Sequence, residues 1–207
     1  ILLYICADSY KRNSFKTVKM DKIEEMKGRK VTINLVAANV FSVVLLFVSV
    51  VLLAYPFYLI WNGHPHGDEQ YLRVVCILCL PLFIAGIVAH ELLHGITWAH
   101  YAKSGWKSIR FGVMWKMLTP YCHCNEPMGI RGYMAGGLMP LVVLGIIPGI
   151  VSLFTGSILL LVWGIIFIAA AGGDIWMVWL LSKEDPESTI LDHPSEAGFY
   201  VFPKEEE

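Results

Sequence analysis

Three ionisable residues fall within five positions of the chain, in the segment His90-Glu91-Leu92-Leu93-His94. On an α-helix, residues four apart lie on one face, so His90 and His94 project side by side. Two neutral imidazoles at this spacing can bind one Zn²⁺, and a glutamate beside them can accept a proton from water at the metal. The H-E-x-x-H pattern therefore predicts His90 and His94 as metal ligands and Glu91 as a general base.

The composition indicates that this segment lies in a membrane. Of 207 residues, 56% are hydrophobic, and the mean hydropathy is +0.59. These values are typical of a polytopic membrane protein. The alternative for the two histidines is a hydrogen-bonded pair between packed helices. It would place three ionisable groups in one apolar helix, where each is costly and usually functional.

Four apolar runs predict the fold class, an all-α polytopic membrane protein with four transmembrane helices. The runs are Val31–Trp61, Tyr71–Tyr101, Tyr133–Thr155 and Ile158–Leu181. The H-E-x-x-H motif lies in the last third of the second run. Glycines and prolines interrupt the third run, which permits close helix approach and local unwinding.

A β-hairpin is predicted between the second and third runs, at about residues 106–126. Apolar residues at Ile109, Phe111, Val113 and Trp115 alternate with other residue types, and Tyr121–Cys124 fits a return strand. Such alternation is a strand pattern. We expect this hairpin to lie at the cytoplasmic face of the membrane.

Basic residues predict the orientation and the domain limits. Eight Lys and Arg residues lie in 1–30, five in 103–131 and two in 183–207. Basic loops stay in the cytoplasm, so we expect a multi-pass protein of the cell membrane with both termini cytoplasmic. Residues 1–30 then form a basic cytoplasmic segment, 31–182 the membrane domain and 183–207 an acidic tail.

Features near the N-terminus and the cysteines add further expectations. Lys11–Lys30 fits either a helix on an anionic membrane surface or a solvated lead-in. Ile1–Ala7 is too short for a signal peptide, and Met20 is a plausible start.

Five cysteines without paired spacing predict no disulfide framework. We expect the lipid bilayer and a peptide substrate as partners, and no nucleic acid.

Asp174 is the acidic residue of the fourth apolar run. His90 lies about 28 Å into the second run and Asp174 about 24 Å into the fourth, at 1.5 Å per residue. If both runs cross the membrane inward, these residues lie at similar depth. An unpaired carboxylate there costs about 2.5–3.5 kcal/mol, so Asp174 needs a cation and is the predicted third ligand. A capped or arginine-paired carboxylate near the helix end is the alternative.

These features resemble the site-2 protease class of intramembrane zinc metalloproteases. More closely, the chain from Val31 to Phe202 resembles a small bacterial family of zincin peptidases. The resemblance implies a membrane metalloprotease whose third zinc ligand is Asp174. Its further motifs are Trp106-Lys107-Ser108, Phe111-Gly112-Val113, Pro120-Tyr121-Cys122-His123-Cys124, Gly172-Gly173-Asp174 and Asp192-His193-Pro194.

The chain also departs from the broader class. Glycine usually follows the aspartate in that class, whereas here Gly172 and Gly173 precede Asp174 and Ile175 follows it. The class also carries a Gly-Pro with a nearby asparagine in the intervening helix. The segment Gly136–Pro140 has no asparagine, which leaves substrate positioning by that helix open.

Other residues compete as the third ligand. His100 has the spacing of a third histidine in the longer H-E-x-x-H-x-x-G-x-x-H signature, but Thr97 replaces its glycine. On an unbroken helix His100 points away from His94, and a turn at Gly95 would be required to bring it back. Glu126 is a second competitor, although it lies in a loop.

Further polar residues suggest secondary roles. Cys122 and Cys124 share a strand face and fit structural packing, while His123 is a candidate for stabilising an oxyanion. Asp192 and His193 either orient a ligand histidine or fix a turn before Pro194. A loop pair, His64 and His66, supplies too few ligands for a complete zinc shell.

The sequence therefore favours a zinc peptidase acting on membrane or juxtamembrane peptides, with the Ser108–Cys124 hairpin pairing with an extended substrate. A non-catalytic zinc protein with a closed ligand shell is one alternative. A metal transporter is another, and would need polar residues along the other spans. The substrate, the regulator and the oligomeric state are left open.

Overall fold

The computed structural model describes residues 28–62, 69–114, 119–193 and 197–204. The proposed surface helix before Gly28, including Met20, lies outside the described residues. His64 and His66, the expected strand residue Trp115 and Pro194 lie outside them as well.

Five helices dominate the described part of the chain. They are α1 (Leu35–Trp61), α2 (Glu69–Tyr101), α3 (Ile130–Thr155), α4 (Ile158–Ala170) and α5 (Gly172–Leu181). Within α1, α2 and α3 there is an apolar stretch long enough to cross a membrane, with mean hydropathies of 2.7, 1.5 and 2.3. The described residues thus hold three candidate spans, or four if α4 and α5 form one bent span.

Many large apolar side chains on these helices point outward. Val36 and Leu52 on α1 are 73% and 65% exposed, and Phe154 on α3 is 80% exposed. Soluble monomers rarely show contiguous apolar surfaces of this extent. The outer face of the helices is therefore suited to lipid.

The first span begins later than the sequence predicted. Val31 and Thr32 belong to a strand, and Asn34 begins α1 by accepting a hydrogen bond from the Ala37 N–H at 3.1 Å. An asparagine at this position satisfies one of the unpaired N–H groups of a helix start. The helix therefore begins at Leu35 rather than at Val31.

Two helices contain a wide π-helical turn that ends two residues before a proline. Val50–Ala54 precedes Pro56 in α1, and Leu141–Ile146 precedes Pro148 in α3. Proline lacks an N–H and clashes with the carbonyl four residues earlier, and a local widening relieves both problems. The helices therefore continue through their prolines without ending.

The fourth apolar run is broken into two helices, which was not predicted from the sequence. α4 ends at Ala170, Ala171 leaves the helical conformation with ψ of 5°, and α5 begins at Gly172 with a bend of 44°. Glycine is a poor helix former, and two of them in succession favour a break. The break creates a new helix start directly before Asp174.

The hairpin is confirmed. Strands β2 (Ile109–Met114) and β3 (Thr119–Cys124) pair antiparallel, with Phe111 opposite Cys122. The hairpin packs against α2, the helix that carries the H-E-x-x-H motif.

A second sheet corrects the all-α description. Its strands are β1 (Arg29–Thr32), β4 (Met128–Gly129), β5 (Thr189–Asp192) and β6 (Gly198–Phe202), in the order β1-β6-β5-β4. All of its pairings are antiparallel. The sheet joins the expected N-terminal segment and the expected tail to the start of α3.

This sheet packs against the helices beside the motif. Ile190 and Phe199 are fully buried, in one apolar core with Trp98, Tyr133 and Leu181. Because the core joins the sheet to α2, α3 and α5, it holds the ends of these helices in place. The helices that carry the motif and Asp174 are therefore held at a common end.

Candidate metal centre

The two motif histidines lie side by side on α2, as their spacing predicts. His90 is 7% exposed and His94 is 5% exposed, and their ring centroids are 4.9 Å apart in an edge-on arrangement. Burial removes both imidazoles from water, so each needs a polar partner.

His94 has its partner on α3. Its Nδ1 lies 2.8 Å from the carbonyl oxygen of Gly136. Since a carbonyl oxygen only accepts, Nδ1 carries the proton and donates it. Nε2 of this tautomer is then the ring atom that could bind a metal, and the hydrogen bond fixes its direction.

An aromatic stack supports this orientation. The indole of Trp98 stacks on His94 with a centroid distance of 5.1 Å, and the Tyr133 ring stacks on the same indole at 5.3 Å. The Trp98 Nε1–H donates to the Tyr133 carbonyl oxygen at 3.0 Å. Gly136 permits this packing because a side chain there would collide with the indole.

Asp174 comes from the first turn of α5 and completes a group of three. Its Oδ2 lies 3.1 Å from His90 Nε2, and its Oδ1 lies 3.5 Å from His94 Nε2. A carboxylate in the first turn of a helix also faces the positive end of the helix dipole. Gly172 lets α5 approach α1, because a Cβ there would lie 2.8 Å from the Cα of Ser42.

The geometry of this group fits a zinc ion. His90, His94 and Asp174 each offer one ligand atom, and these atoms lie within 4.8 Å of one another. Ligands of a tetrahedral zinc at about 2.0–2.1 Å are separated by about 3.3–3.5 Å, close to the distances observed. Two imidazoles and one carboxylate are also a donor set that zinc accepts in catalytic sites.

Glu91 lies beside the group and faces the hairpin. The backbone N–H of Cys122 on β3 donates to its carboxylate. Glu91, the three ligand residues and Cys122 all line one cavity of about 80 Å³. The Glu91 carboxylate therefore lies at the wall of the cavity that the three candidate ligand residues also line.

The competing ligands lie elsewhere. α2 continues through Gly95 to Tyr101 without a turn, so His100 stays outside the group and packs edge-on against Tyr101. Glu126 accepts a hydrogen bond from the Ser104 N–H at 3.0 Å. Hydrogen bonds from the Ser104 hydroxyl and N–H hold the pKa of Glu126 below its ordinary value. Glu126 thus connects the hairpin to the end of α2.

The two strand cysteines are buried and neither forms a disulfide. Burial raises the pKa of the Cys122 thiol, and the carboxylates of Glu91 and Asp192 raise it further. The thiolate is the form that binds metals, so a raised pKa disfavours Cys122 as a ligand. The expectation of structural packing for these cysteines agrees with their burial.

A second polar cluster surrounds Asp192, which is 3% exposed. The Tyr133 hydroxyl donates to Oδ1 of Asp192, and the Cys124 N–H donates to Oδ2 at 2.8 Å. His123 Nδ1 lies 3.3 Å from the same Oδ2. The cluster joins β5, β3 and α3, and it contacts the metal group through the stack of Tyr133, Trp98 and His94.

His193 follows Asp192 in the chain. Its backbone N–H donates to the Gly198 carbonyl oxygen at 3.0 Å, and its ring stacks on Tyr200 at 5.0 Å. These contacts support the alternative that the tail histidine fixes a turn.

Neither Trp98 nor Tyr133 was predicted from the sequence as part of the site. Trp98 carries a visible signal, since it lies four residues after His94 on the same helix face. Tyr133 carries none, because its contacts depend on how α3 and β5 meet.

Comparison with known proteins identifies one family. The profile of a family described as "Putative zincin peptidase" matches residues 83–189, which is 107 of the 207 residues. The matched range contains the H-E-x-x-H motif, the hairpin, α3 and Asp174. No curated protein and no solved structure matches the chain.

Proposed function

Because the chain belongs to this zincin peptidase family, we propose that it is a zinc-dependent peptidase that cleaves membrane or juxtamembrane peptides. The strongest support is that His90, His94 and Asp174 lie close together and line one cavity with Glu91. The helices that carry these residues are apolar enough to cross a bilayer. A buried site between such helices is suited to a substrate that is itself in or near the membrane.

His90, His94 and Asp174 would hold the metal. Asp174 supplies negative charge among the two neutral rings, and a buried carboxylate is stable only beside a cation or strong donors. A zinc ion there supplies Lewis-acid chemistry, which makes water more acidic and polarises the scissile carbonyl. Three protein ligands leave one position of a tetrahedral shell for water or substrate, as in catalytic zinc sites.

Glu91 acts as the general base. It accepts a proton from the attacking water and returns it to the leaving amine of the cleaved peptide bond. The Cys122 N–H orients its carboxylate toward the cavity. The Nε2 atom of His94 carries no proton, because the ring proton lies on Nδ1 and is donated to the Gly136 carbonyl oxygen.

We propose that the substrate peptide binds along the hairpin. Tyr121 and Cys122 of β3 line the cavity that contains Glu91. An extended peptide beside β3 would pair with its backbone and take over the N–H of Cys122 from Glu91. Peptide bonds within a helix are already hydrogen-bonded, so the substrate must unwind locally before it binds in this way.

The orientation proposed from the basic residues places this cavity toward the cytoplasm. Eight basic residues precede Val31, and five lie between the second and third runs. With both termini cytoplasmic, the hairpin and the start of α1 lie at the inner face of the cell membrane. The substrate then enters from the inner leaflet.

A zinc and cleavage assay tests the proposal. Wild-type protein purified in detergent is expected to bind one zinc and to cleave members of a panel of transmembrane peptides. Glu91→Gln keeps the zinc and reduces cleavage by about 10²–10⁴-fold, since only the base is removed. Asp174→Asn loses both zinc and cleavage. Metal content and mass spectrometry of the peptides provide the two readouts.

Glu187→Gln is the matched control, because Glu187 is exposed and pairs with Lys204 far along the chain from the motif. It should behave as wild type. Cleavage that survives in Glu91→Gln contradicts the base assignment. Zinc binding without cleavage of any peptide supports a non-catalytic zinc protein instead.

A further inference from the structure

One face of α1 forms a wall of the cavity that contains the metal group. Leu35, Ala38, Asn39 and Ser42 line it, and their spacing of three and four residues places them on one side of the helix. His90, Glu91 and His94 of α2 line the same cavity. A peptide that reaches the metal group from this side therefore passes along α1.

Asn39 differs from the other polar residues of the spans. Ser42 and Ser49 on α1 donate to carbonyl oxygens of their own helix at 3.1 and 2.9 Å. Thr97 on α2 does the same at 2.8 Å. The Asn39 amide has no such bond with any residue that the structure describes, although it lines the cavity.

Asn39 is an exposed residue of α1 that also lines the cavity, so its amide is accessible to a molecule that enters there. Asn39 offers two donor hydrogens and one acceptor oxygen, which is the complement of a peptide unit. It is also neutral, so it does not compete with Asp174 for the metal ion. Leu35 and Ala38 around it are apolar and supply no alternative partner.

We infer that Asn39 binds the backbone of the substrate peptide in the cavity that Glu91 also lines. This inference rests on the proposed function and names a substrate-binding residue for it. An extended peptide presents N–H and C=O groups on both of its edges. If one edge faces β3, the other faces α1, and the Asn39 amide hydrogen-bonds to it there.

Two zinc-binding probes test this role. Acetohydroxamate contacts only the metal region, whereas a dipeptidyl hydroxamate also extends a peptide backbone into the cavity. Their affinities are measured by calorimetry on zinc-loaded protein in detergent. Asn39→Leu, which has a similar size, is expected to bind the dipeptidyl probe about tenfold more weakly, the effect of one or two hydrogen bonds. Its affinity for acetohydroxamate should not change.

Val40→Leu is the control, because Val40 is 59% exposed on the same helix and does not line the cavity. It should match wild type with both probes. Asn39→Gln keeps the amide and should lose less affinity than Asn39→Leu.

The outcomes separate the two proposals. Equal affinity of wild type and Asn39→Leu for the dipeptidyl probe overturns the role of Asn39, and so does an equal loss for both probes. If zinc-treated wild type binds neither zinc nor acetohydroxamate, the proposed function fails and this inference fails with it.

Discussion

His94 donates a hydrogen bond from Nδ1 to the carbonyl oxygen of Gly136, with a distance of 2.8 Å between the two atoms. This one contact sets the tautomer of the imidazole and the direction of Nε2. Gly136 also supports the orientation of His94 because it has no side chain. The Trp98 indole, which stacks on His94, occupies the space where a Cβ would lie. The glycine thus orients a candidate metal ligand through a hydrogen bond and through packing.

Substituting Gly136 by alanine tests this relationship. The added Cβ collides with the Trp98 indole, which must shift together with the His94 ring stacked on it. Because such outer contacts typically change metal affinity by 10–100-fold, we expect Gly136→Ala to weaken zinc binding by about that factor. Chelator competition provides the measurement.

Gly129→Ala is the matched control, since a Cβ at Gly129 meets nothing within 4 Å. It should bind zinc as wild type does. Equal affinities of Gly136→Ala and wild type would show that the orientation of His94 does not depend on this packing.

Asp192 is predicted to stabilise the fold where β5, β3 and α3 meet. Asp192→Ala leaves the Tyr133 hydroxyl and the Cys124 N–H without their buried acceptor. A buried donor that loses its acceptor typically costs about 1–3 kcal/mol, so two such donors predict a loss of about 2–6 kcal/mol in the free energy of unfolding.

Chemical unfolding in detergent, followed by tryptophan fluorescence, measures this loss. Glu187→Ala, at an exposed ion pair, should cost less than about 1 kcal/mol. A similarly small loss for Asp192→Ala would mean that the cluster adds little stability.

The helical part of the fold and the candidate metal ligands follow from local patterns in the sequence. Apolar run length predicts the helices, and four-residue spacing predicts that His90 and His94 share a face. The depth comparison predicted that Asp174 lies near them, and the structure places it 3.1 Å from His90 Nε2. Strand alternation predicted the hairpin in the same local way.

The remaining features depend on contacts between distant segments. The strands Thr189–Asp192 and Gly198–Phe202 have four and five residues within a polar tail, too few to stand out by periodicity. β1 has only four residues, and its pairing with β6 joins opposite ends of the chain. The role of Tyr133 arises from the same meeting of segments.

Stability should fall at alkaline pH through Cys122. Burial raises the pKa of its thiol, so the folded protein holds the proton more tightly than the unfolded chain. In the unfolded chain the Cys122 thiol ionises at about pH 8.5. The stabilisation of the folded state by the protonated thiol is therefore complete below about pH 8.5, and it is lost progressively as the pH rises above this value.

The difference between wild type and Cys122→Ala isolates this contribution. Urea midpoints are measured from pH 7 to 10, and the wild-type midpoint should decline more steeply. Parallel declines in both proteins would assign the alkaline loss to other groups.

The break between α4 and α5 is predicted to place Asp174 at the metal. A Cβ on Gly172 would lie 2.8 Å from the Cα of Ser42, and this backbone atom cannot move aside cheaply. Gly172→Ala therefore pushes α5 away from α1 and carries Asp174 away from the histidines. We expect zinc affinity to fall at least about tenfold, since ligation tolerates displacements of only about 0.2 Å. Gly137→Ala is the matched control, because its Cβ meets side-chain atoms of α5 and no backbone atom, at 3.1 Å from Met177 Cε and 3.3 Å from Val178 Cγ2. Chelator competition that finds both variants equal to wild type would show that the close approach of α1 and α5 does not position Asp174.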